Sequence, residues 1–302
     1  MNLRDLAYLV SLQEVRGFTA AARRHGVSQP TVTAAIKRLE REFGCRLVLR
    51  GHDRQQIGFT PAGRQLLVHA RRILQSVRTA RQEIDALQQG RVRLGLPPIL
   101  SNRYFSQIAT ELQRTGLLDR LDAVERGSAA LGRLLADGGL DLALLGSLTP
   151  PDEDRFVVER ISAVRFCAIV GPEHPLRAAE SVSFEDLAAE HFVALTEDFV
   201  HARAFSRLCE RSGISPHVVY RTDDVGLLKR LVEAGVGIGL LAQSALFPDE
   251  RVHPVDLADA DQPRFHVSIV RRREQVLGDA ARGVLAALHR SVSGRGYAEP
   301  GR

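Results

Sequence analysis

Three hundred and two residues, 44% hydrophobic and 25% charged, suit about two core-forming domains at roughly 150 residues each. The longest apolar stretch, Val236 to Ala242 with interleaved glycines, falls far short of the ~20 residues a membrane helix needs, so disorder throughout, collagen and a membrane bundle are excluded. The formal charge of +5 is unevenly divided: residues 1–91 hold 16 Lys/Arg against 7 Asp/Glu, and residues 92–302 hold 25 against 29.

A basic first segment is the footprint of a polyanion binder, because each neutralised phosphate releases counterions; a solvated surface is the alternative that charge alone leaves open. The start, Met1 to Leu6, carries an acid at Asp5 and no apolar core of a signal sequence, so the expected location is the cytoplasm. Cys45, Cys167 and Cys209 lack the spacing of a disulfide framework or a zinc site, and reduced thiols are expected.

In chain order, Leu3, Leu6, Leu9 and Val10 recur at helical spacing, with Gly17 closing that helix and Thr19 capping the next. A short helix to Arg24 ends at His25-Gly26-Val27, and Ser28 then caps a third helix that tolerates Pro30 in its first turn. Helix, glycine turn and helix make helix-turn-helix grammar. Val32, Ile36, Leu39 and Phe43 form one apolar stripe ending at Gly44, so Pro30, Ala34, Lys37 and Arg41 point the other way, Thr33 and Arg38 flank them, and Gln29 projects from the tip. A polar tip on a basic outer face fits a major groove.

Arg46 to Phe59 reads as a small hairpin around Gly51-His52-Asp53-Arg54, carrying Arg50 and Arg54. Thr60 caps and Pro61 opens a long helix in which Leu66, Ala70, Ile73, Val77, Ala80, Ile84 and Leu87 alternate steps of four and three. That heptad seam predicts an intermolecular coiled coil and at least a dimer; a core-facing stripe is the contrasting reading. From Arg91 the period becomes that of strands, expected at Arg91 to Leu96, Leu121 to Glu125, Leu140 to Leu144, Val157 to Val170, Phe192 to Leu195, Val218 to Arg221, Ile238 to Leu241 and Phe265 to Val270. Helices are expected at Asn102 to Arg114, Ser128 to Asp137, Val200 to Ser212 and Asp223 to Ala234, and the alternation predicts parallel sheets covered by helices. The tail after about Ser291, rich in Gly, Ser and Arg, is expected to be disordered.

Phe18-Thr19-Ala20-Ala21-Ala22, Val27-Ser28-Gln29-Pro30-Thr31-Val32-Thr33, Ile36-Lys37-Arg38-Leu39-Glu40, Phe43-Gly44 and Phe59-Thr60-Pro61-Ala62-Gly63 resemble the LysR-type transcriptional regulators. So do Gly138-Gly139-Leu140-Asp141-Leu142-Ala143, Pro172-Glu173-His174-Pro175-Leu176 and Val232 to Leu240, so the resemblance covers essentially residues 3–290. It implies an α plus α/β chain: a winged helix-turn-helix over 1–60, a dimerising linker helix over 61–90, and a periplasmic-binding-protein-like effector domain over 91–302. The effector domain would comprise two α/β subdomains, one from 92–162 plus 268–292 and the other from 163–267. Implied partners are double-stranded DNA with a dyad-symmetric operator, a small-molecule effector, and further copies of the chain as a homodimer through the linker helix and a homotetramer, with RNA polymerase as a further contact. No cofactor, metal or membrane is implied.

Carried onto this sequence, the DNA-reading turn is Ser28, Gln29, Pro30 and Thr31 with Thr33, while Lys37, Arg38, Arg50 and Arg54 hold phosphates. Ala34 departs from a common arginine, His25 from a core leucine and Val48 from phenylalanine. The effector positions follow strands: Ile99, Leu100 and Ser101; Arg126, Gly127 and Ser128; Thr196, Phe199, Val200 and His201; and Thr222 with Asp223. Hydroxyls and bare N–H groups at helix starts suit an anion, with Arg126, Arg203 or His201 supplying positive charge, so a small organic carboxylate is expected. Simple N-capping by Ser128 and Thr222 is the alternative, and Ile99, where relatives carry Ser or Thr, points to a partly apolar ligand.

Enzymes lose their footing on the motifs: the glycines of Gly235-Val236-Gly237-Ile238-Gly239 lead into a strand rather than follow one, and neither a nucleophile elbow nor a Walker loop is present. A peroxide sensor acting through Cys167 and Cys209 is a rival within the same family, although Cys167 reads as a strand interior. A solute-binding protein is a third possibility; it would have no use for the basic helix-turn-helix and predicts no DNA affinity.

Overall fold

The computed structural model describes residues 1–50 and 57–293, in two units that divide after Gln82. Arg54, with the hairpin tip, and the tail after residue 293 lie outside the described residues.

In the first unit, α1 (Leu3–Val15) is capped by the Asn2 side chain, which accepts from the Asp5 N–H at 2.8 Å. Its end is Arg16 in the left-handed region at φ 50°, one residue before the expected Gly17. Gly17 instead caps α2 (Phe18–Arg24), so Thr19 falls inside the first turn and is not the cap that its hydroxyl suggests. The third helix, α3 (Gln29–Phe43), starts as expected: Ser28 Oγ accepts from the Thr31 N–H, and Gly44 at φ 64° closes it by donating to the Glu40 carbonyl. Leu6, Leu9 and Leu12 meet Ala21, Ala22, Val32, Ala35, Ile36 and Leu39 in one core. Phe43, expected on that stripe, is instead 46% exposed, because the last turn of α3 runs past the core that α1 and α2 build.

The hairpin forms from β1 (Val48–Arg50) and β2 (Ile57–Phe59), antiparallel with Val48 opposite Phe59. Thr60 then caps α4 (Pro61–Gln89): its Oγ1 accepts from the Gly63 N–H at 3.0 Å while its hydroxyl donates to the Arg46 carbonyl at 2.7 Å. Gly63 is required by contact, since a Cβ there would lie 2.0 Å from the Leu47 carbonyl oxygen. The seam of α4 is divided. Leu66 and Ala70 are buried in the core of their own head, with Ile73 partly so, which corrects their assignment as intermolecular contacts; a heptad stripe fits a helical core as well as a partner helix. Ile84 and Leu87 are 54% and 47% exposed.

In the second unit β3 (Val92–Leu96), α5 (Pro98–Arg114), β4 (Leu121–Glu125), α6 (Ser128–Ala136) and β5 (Leu142–Ser147) build a βαβαβ start in which β3 pairs in parallel with β4 and β5. The chain continues through β6 (Phe156–Val170), β7 (Ser181–Val182), β8 (His191–Leu195), α7 (Val200–Ser212), β9 (His217–Thr222), α8 (Val225–Glu233), β10 (Gly239–Ala242), β11 (His253–Leu257), β12 (Arg264–Arg272) and α9 (Asp279–Ser293). The long β6 and β12 organise the unit. They pair antiparallel from Arg264 opposite Arg165 to Arg272 opposite Phe156, with a register shift between Val267 and Ser268. Beyond that pairing, β12 joins β5, while the far part of β6 takes β10 and β11. The expectation of parallel sheets therefore holds for β3 to β5 and for the β8–β9 pair, and fails at β6 and β12, whose antiparallel crossings are not visible in local alternation.

The helix expected from Asn102 begins at Pro98, where a proline at the first position needs no N–H partner, and the one expected from Asp223 begins at Val225, because the Asp224 carboxylate accepts from the Gly226 and Leu227 N–H groups. At the other end of β12, buried Arg272 donates to the Leu135 and Leu140 carbonyls, each at 2.7 Å, and to Glu83 on α4 at 2.7 Å.

Candidate functional site

Two places gather the predicted residues. On α3, Ser28, Gln29, Pro30, Thr31, Ala34 and Lys37 are exposed and Thr33 is half-buried, while Val32, Ala35, Ile36 and Leu39 face the core. Ser28 and Thr31 share a hydroxyl hydrogen bond of 2.9 Å that fixes the first turn. Arg38 is committed within the fold: its Nε and Nη2 donate to Asp5 at 3.2 and 2.5 Å, and that carboxylate is only 2% exposed. This hydrogen-bonded pairing holds the guanidinium charged more firmly and ties α3 to α1. Lys37 makes no ion pair among the described residues and stands free on the outer face. His25, expected in the helix-turn-helix core, is exposed; its Nε2 and Ser11 Oγ lie 2.7 Å apart and its ring stands edge-on to Tyr8. The Arg50 backbone pairs with Ile57; its side chain and all of Arg54 lie outside the described residues.

The second place is a small pocket lined by Pro97, Ile99, Gly127, Ser128, Phe199, Val200, His201 and Phe265. Its walls are the starts of α5, α6 and α7, whose N-caps Pro97, Gly127 and Phe199 make no side-chain cap hydrogen bond. Helix starts left open in this way present N–H groups and the positive end of the helix dipole. Ser128 Oγ accepts from the Gly146 N–H at 3.1 Å, which leaves its own hydroxyl hydrogen to donate. Gly127 allows close approach, since a Cβ there would lie 2.7 Å from the Asp198 carbonyl oxygen.

His201 is buried, edge-on to Phe166 and tilted against Phe265, and its Nε2 has no hydrogen-bond partner among the described residues. Burial alone pushes its pKa down to about 3, so the ring is neutral at pH 7 and does not supply the positive charge expected of it. The pocket thus collects Ile99, Gly127, Ser128, Phe199, Val200 and His201 and leaves the other predicted positions outside. Leu100 is core, Ser101 donates its N–H to the Pro97 carbonyl, and exposed Arg126 donates to the Glu125 carbonyl. Thr196 and Thr222 are joined by a backbone hydrogen bond, Thr222 Oγ1 accepts from the Asp224 N–H, and Asp223 and Arg203 face solvent. Sequence reasoning misses Pro97 and Phe265. The signal for Phe265 is Gly146 on the neighbouring strand, where a Cβ would lie 2.3 Å from the ring.

Elsewhere, Cys167 is buried with its thiol pushed up to about 12, chiefly by desolvation, and burial also raises half-buried Cys209. Among the described residues no helix is long and apolar enough to cross a membrane, and no group of metal-ligating side chains is assembled.

Residues 3–64 match the family model "Bacterial regulatory helix-turn-helix protein, lysR family", and residues 85–293 match "LysR substrate binding domain". The "Malolactic fermentation system transcriptional activator" of Lactococcus lactis subsp. lactis is 31% identical over 289 residues, covering 95% of this chain and 98% of that protein. The "DNA-binding transcriptional dual regulator OxyR" of Escherichia coli is 29% identical, covering 83% and 82%. Among solved structures, HinK, a LysR family transcriptional regulator from Pseudomonas aeruginosa, superposes with a TM-score of 0.55 at 21% identity, covering 97% of this chain and 99% of that one. Full-length BenM gives a TM-score of 0.56 at 22% identity and covers all of both chains.

Proposed function

The chain belongs to the LysR-type family of transcriptional regulators, a DNA-binding helix-turn-helix joined to an effector-binding domain, and from that premise we propose how its own residues read DNA and report a ligand. The observation that carries the reading is the outward face of α3, where Gln29, Pro30 and Lys37 are exposed on a helix whose other side is core. Gln29 at the tip reaches base edges, Thr33 supports it, and Lys37 meets phosphates as α3 lies in the major groove. Arg50 and Arg54 of the hairpin add phosphate contacts, and two copies joined along α4 place two α3 helices on a dyad-symmetric operator. A dimer of such dimers, and contact with RNA polymerase from the bound assembly, complete the proposal.

The pocket holds a small organic anion, and the open starts of α5, α6 and α7 support that choice. Its walls come from both proposed subdomains, 92–162 plus 268–292 and 163–267. The two crossings fall in β6 and β12, where the register shift between Val267 and Ser268 lies opposite Ser162 and Arg160. A ligand that prefers the closed arrangement shifts the population toward it, and one that binds both arrangements equally shifts nothing. Incubating the protein with sheared genomic DNA from its source at moderate salt, and sequencing what it retains, tests the reading. A few sharp peaks sharing a dyad support it, and diffuse retention that vanishes with salt overturns it.

A further inference from the structure

We propose that the effector unit carries a second binding site, on the face of β6 and β12 turned away from the pocket, and that this site takes a compact dianion of the phosphate type. Arg165 and Arg264 supply the charge, with Ser147 and Ser268 as hydroxyl donors. The site stands apart from the reading of the pocket and from any ligand held there.

Strand alternation assembles it. Phe265 lines the pocket, so Arg264 and His266 on either side of it point to the opposite face of β12, and Ser268 follows them there. Directly opposed residues of neighbouring strands share a face. β6 therefore adds Arg165, opposite Arg264, and beyond the register shift Arg160, opposite Ser268, while β5 adds Ser147, opposite His266.

Two features of this face have no explanation within the fold. The first is charge. Directly opposed side chains hold their Cβ atoms about 5 Å apart, where like charges repel, and Arg165 and Arg264 form such a pair. Both are exposed, and neither guanidinium has an ion-pair or hydrogen-bond partner among the described residues. Arg160 is matched by Glu153 at 2.8 Å, and none of residues 142–147, 160–165 and 264–268 is acidic. Half-buried His266 feels the same field: burial, then the charges of Arg160 and Arg264, hold its imidazole below the ordinary range, so the ring adds no charge at neutral pH. Two guanidiniums are left uncompensated, which a dianion balances and a monocarboxylate does not.

The second is a pair of hydroxyls. Ser147 Oγ and Ser268 Oγ are buried without a hydrogen-bond partner among the described residues, and Ser268 is only 1% exposed. Buried polar atoms are almost always bonded, so two orphans beside one histidine mark a place for ligand oxygens. Guanidinium forks and hydroxyl donors together suit the several oxygens of a phosphate group. Ser147, Arg160 and Ser268 lie in one proposed subdomain and Arg165 and Arg264 in the other, so a bound ion bridges both crossings and favours the arrangement that brings the two sets together.

The experiment is calorimetric titration of the full chain at constant ionic strength with inorganic phosphate, sulfate and glycerol phosphate, against acetate and poly-glutamate. It compares the wild type with Arg165→Gln, Arg264→Gln, the double variant Ser147→Ala with Ser268→Ala, and Arg207→Gln, an exposed arginine of α7, as the control. The expected result is saturable binding of phosphate at least about tenfold tighter than of acetate. Arg165→Gln and Arg264→Gln should each weaken it about tenfold or more, the double serine variant about threefold or more, and Arg207→Gln should leave it unchanged. Without the ion, either variant of the opposed pair should melt about 1–3 °C higher because the repulsion is relieved, a gain that a merely structural arginine would not give. Glycerol phosphate binding as tightly as phosphate supports the site as one for phosphorylated small molecules, and phosphate and sulfate binding without it support the free ion. No saturable phosphate binding, the same affinity in both arginine variants as in the wild type, or an equal loss in Arg207→Gln overturns the proposal. Binding of poly-glutamate alone overturns it in favour of an acidic protein partner.

Discussion

Gln29 and Lys37 stand on the same exposed face of α3 and should separate cleanly in binding assays. Gln29→Ala should cost about 1–3 kcal/mol on the operator and relax the base preference, while Lys37→Ala should weaken every sequence alike and lower the salt slope by about one. Equal losses on operator and random DNA for Gln29→Ala would place the reading face elsewhere. His201 ties a single ring to acid stability. Its folded pKa of about 3 lies below the ordinary 6.5, so the stability gained by burying it neutral is complete above pH 6.5 and is lost progressively as pH falls toward 3. Protonation is opposed by the fold throughout that window, so the melting temperature of the effector unit should fall more steeply between pH 6.5 and 5 in the wild type than in His201→Phe. Cys167 should remain a free thiol after peroxide, because only a thiolate reacts and this one is held protonated in the core; a lost thiol titre traced to it would contradict the burial. Six of the pocket residues are legible at this scale because the helix starts that line the pocket follow strand ends, whereas Arg38 looks free in the sequence because its partner Asp5 lies 33 residues away and no local pattern joins them.

At the scale of elements, α4 changes role along its length. Charged residues at Ile84 and Leu87 should break the proposed dimer, seen as a halved mass by light scattering, without lowering the melting temperature of the head. A charge at Leu66 should instead unfold the head, with a cost of about 2–5 kcal/mol typical of a disrupted core leucine. If Leu66→Glu were tolerated and Ile84→Glu were not destabilising to the dimer, the division of the seam would be wrong. The helices with strong caps are plain in the sequence, since Ser28, Thr60 and Gly44 carry their meaning in one residue. The strand β11 and the helix α9 are not. β11 is short and carries Pro254 and Asp256, and α9 mixes alanine with arginine, so neither shows a clean period until the sheet and helices around it are in place.

For the whole chain, local pattern yields the order of helices and strands but not their pairing. Whether β6 runs parallel or antiparallel to its neighbours depends on β12, about a hundred residues later along the chain, and no local pattern supplies that pairing. Arg272 shows the same limit. It ends β12 yet closes on Leu135, Leu140 and Glu83, so its buried charge belongs to three distant stretches of chain at once. Arg272→Ala should destabilise the effector unit by about 3–5 kcal/mol, as removal of a buried hydrogen-bonded charge does, and Arg272→Lys should restore only part of it, because a single ammonium cannot replace the guanidinium fork. A melting temperature unchanged by Arg272→Ala would show that the joint carries no load.

The late arrival of β12 and α9 also sets an order of events at the ribosome. The head core closes with Ala70, so it can form while the rest is still being made, but β5 lacks its antiparallel neighbour until Val267 emerges, and α5 waits for α9. A chain cut short after α4 therefore keeps the helix-turn-helix head and the exposed Ile84 and Leu87 while losing the effector-binding domain. If copies pair along α4 as proposed, such a fragment should join intact copies and bind DNA without responding, so message integrity would bear on how faithfully the signal is reported.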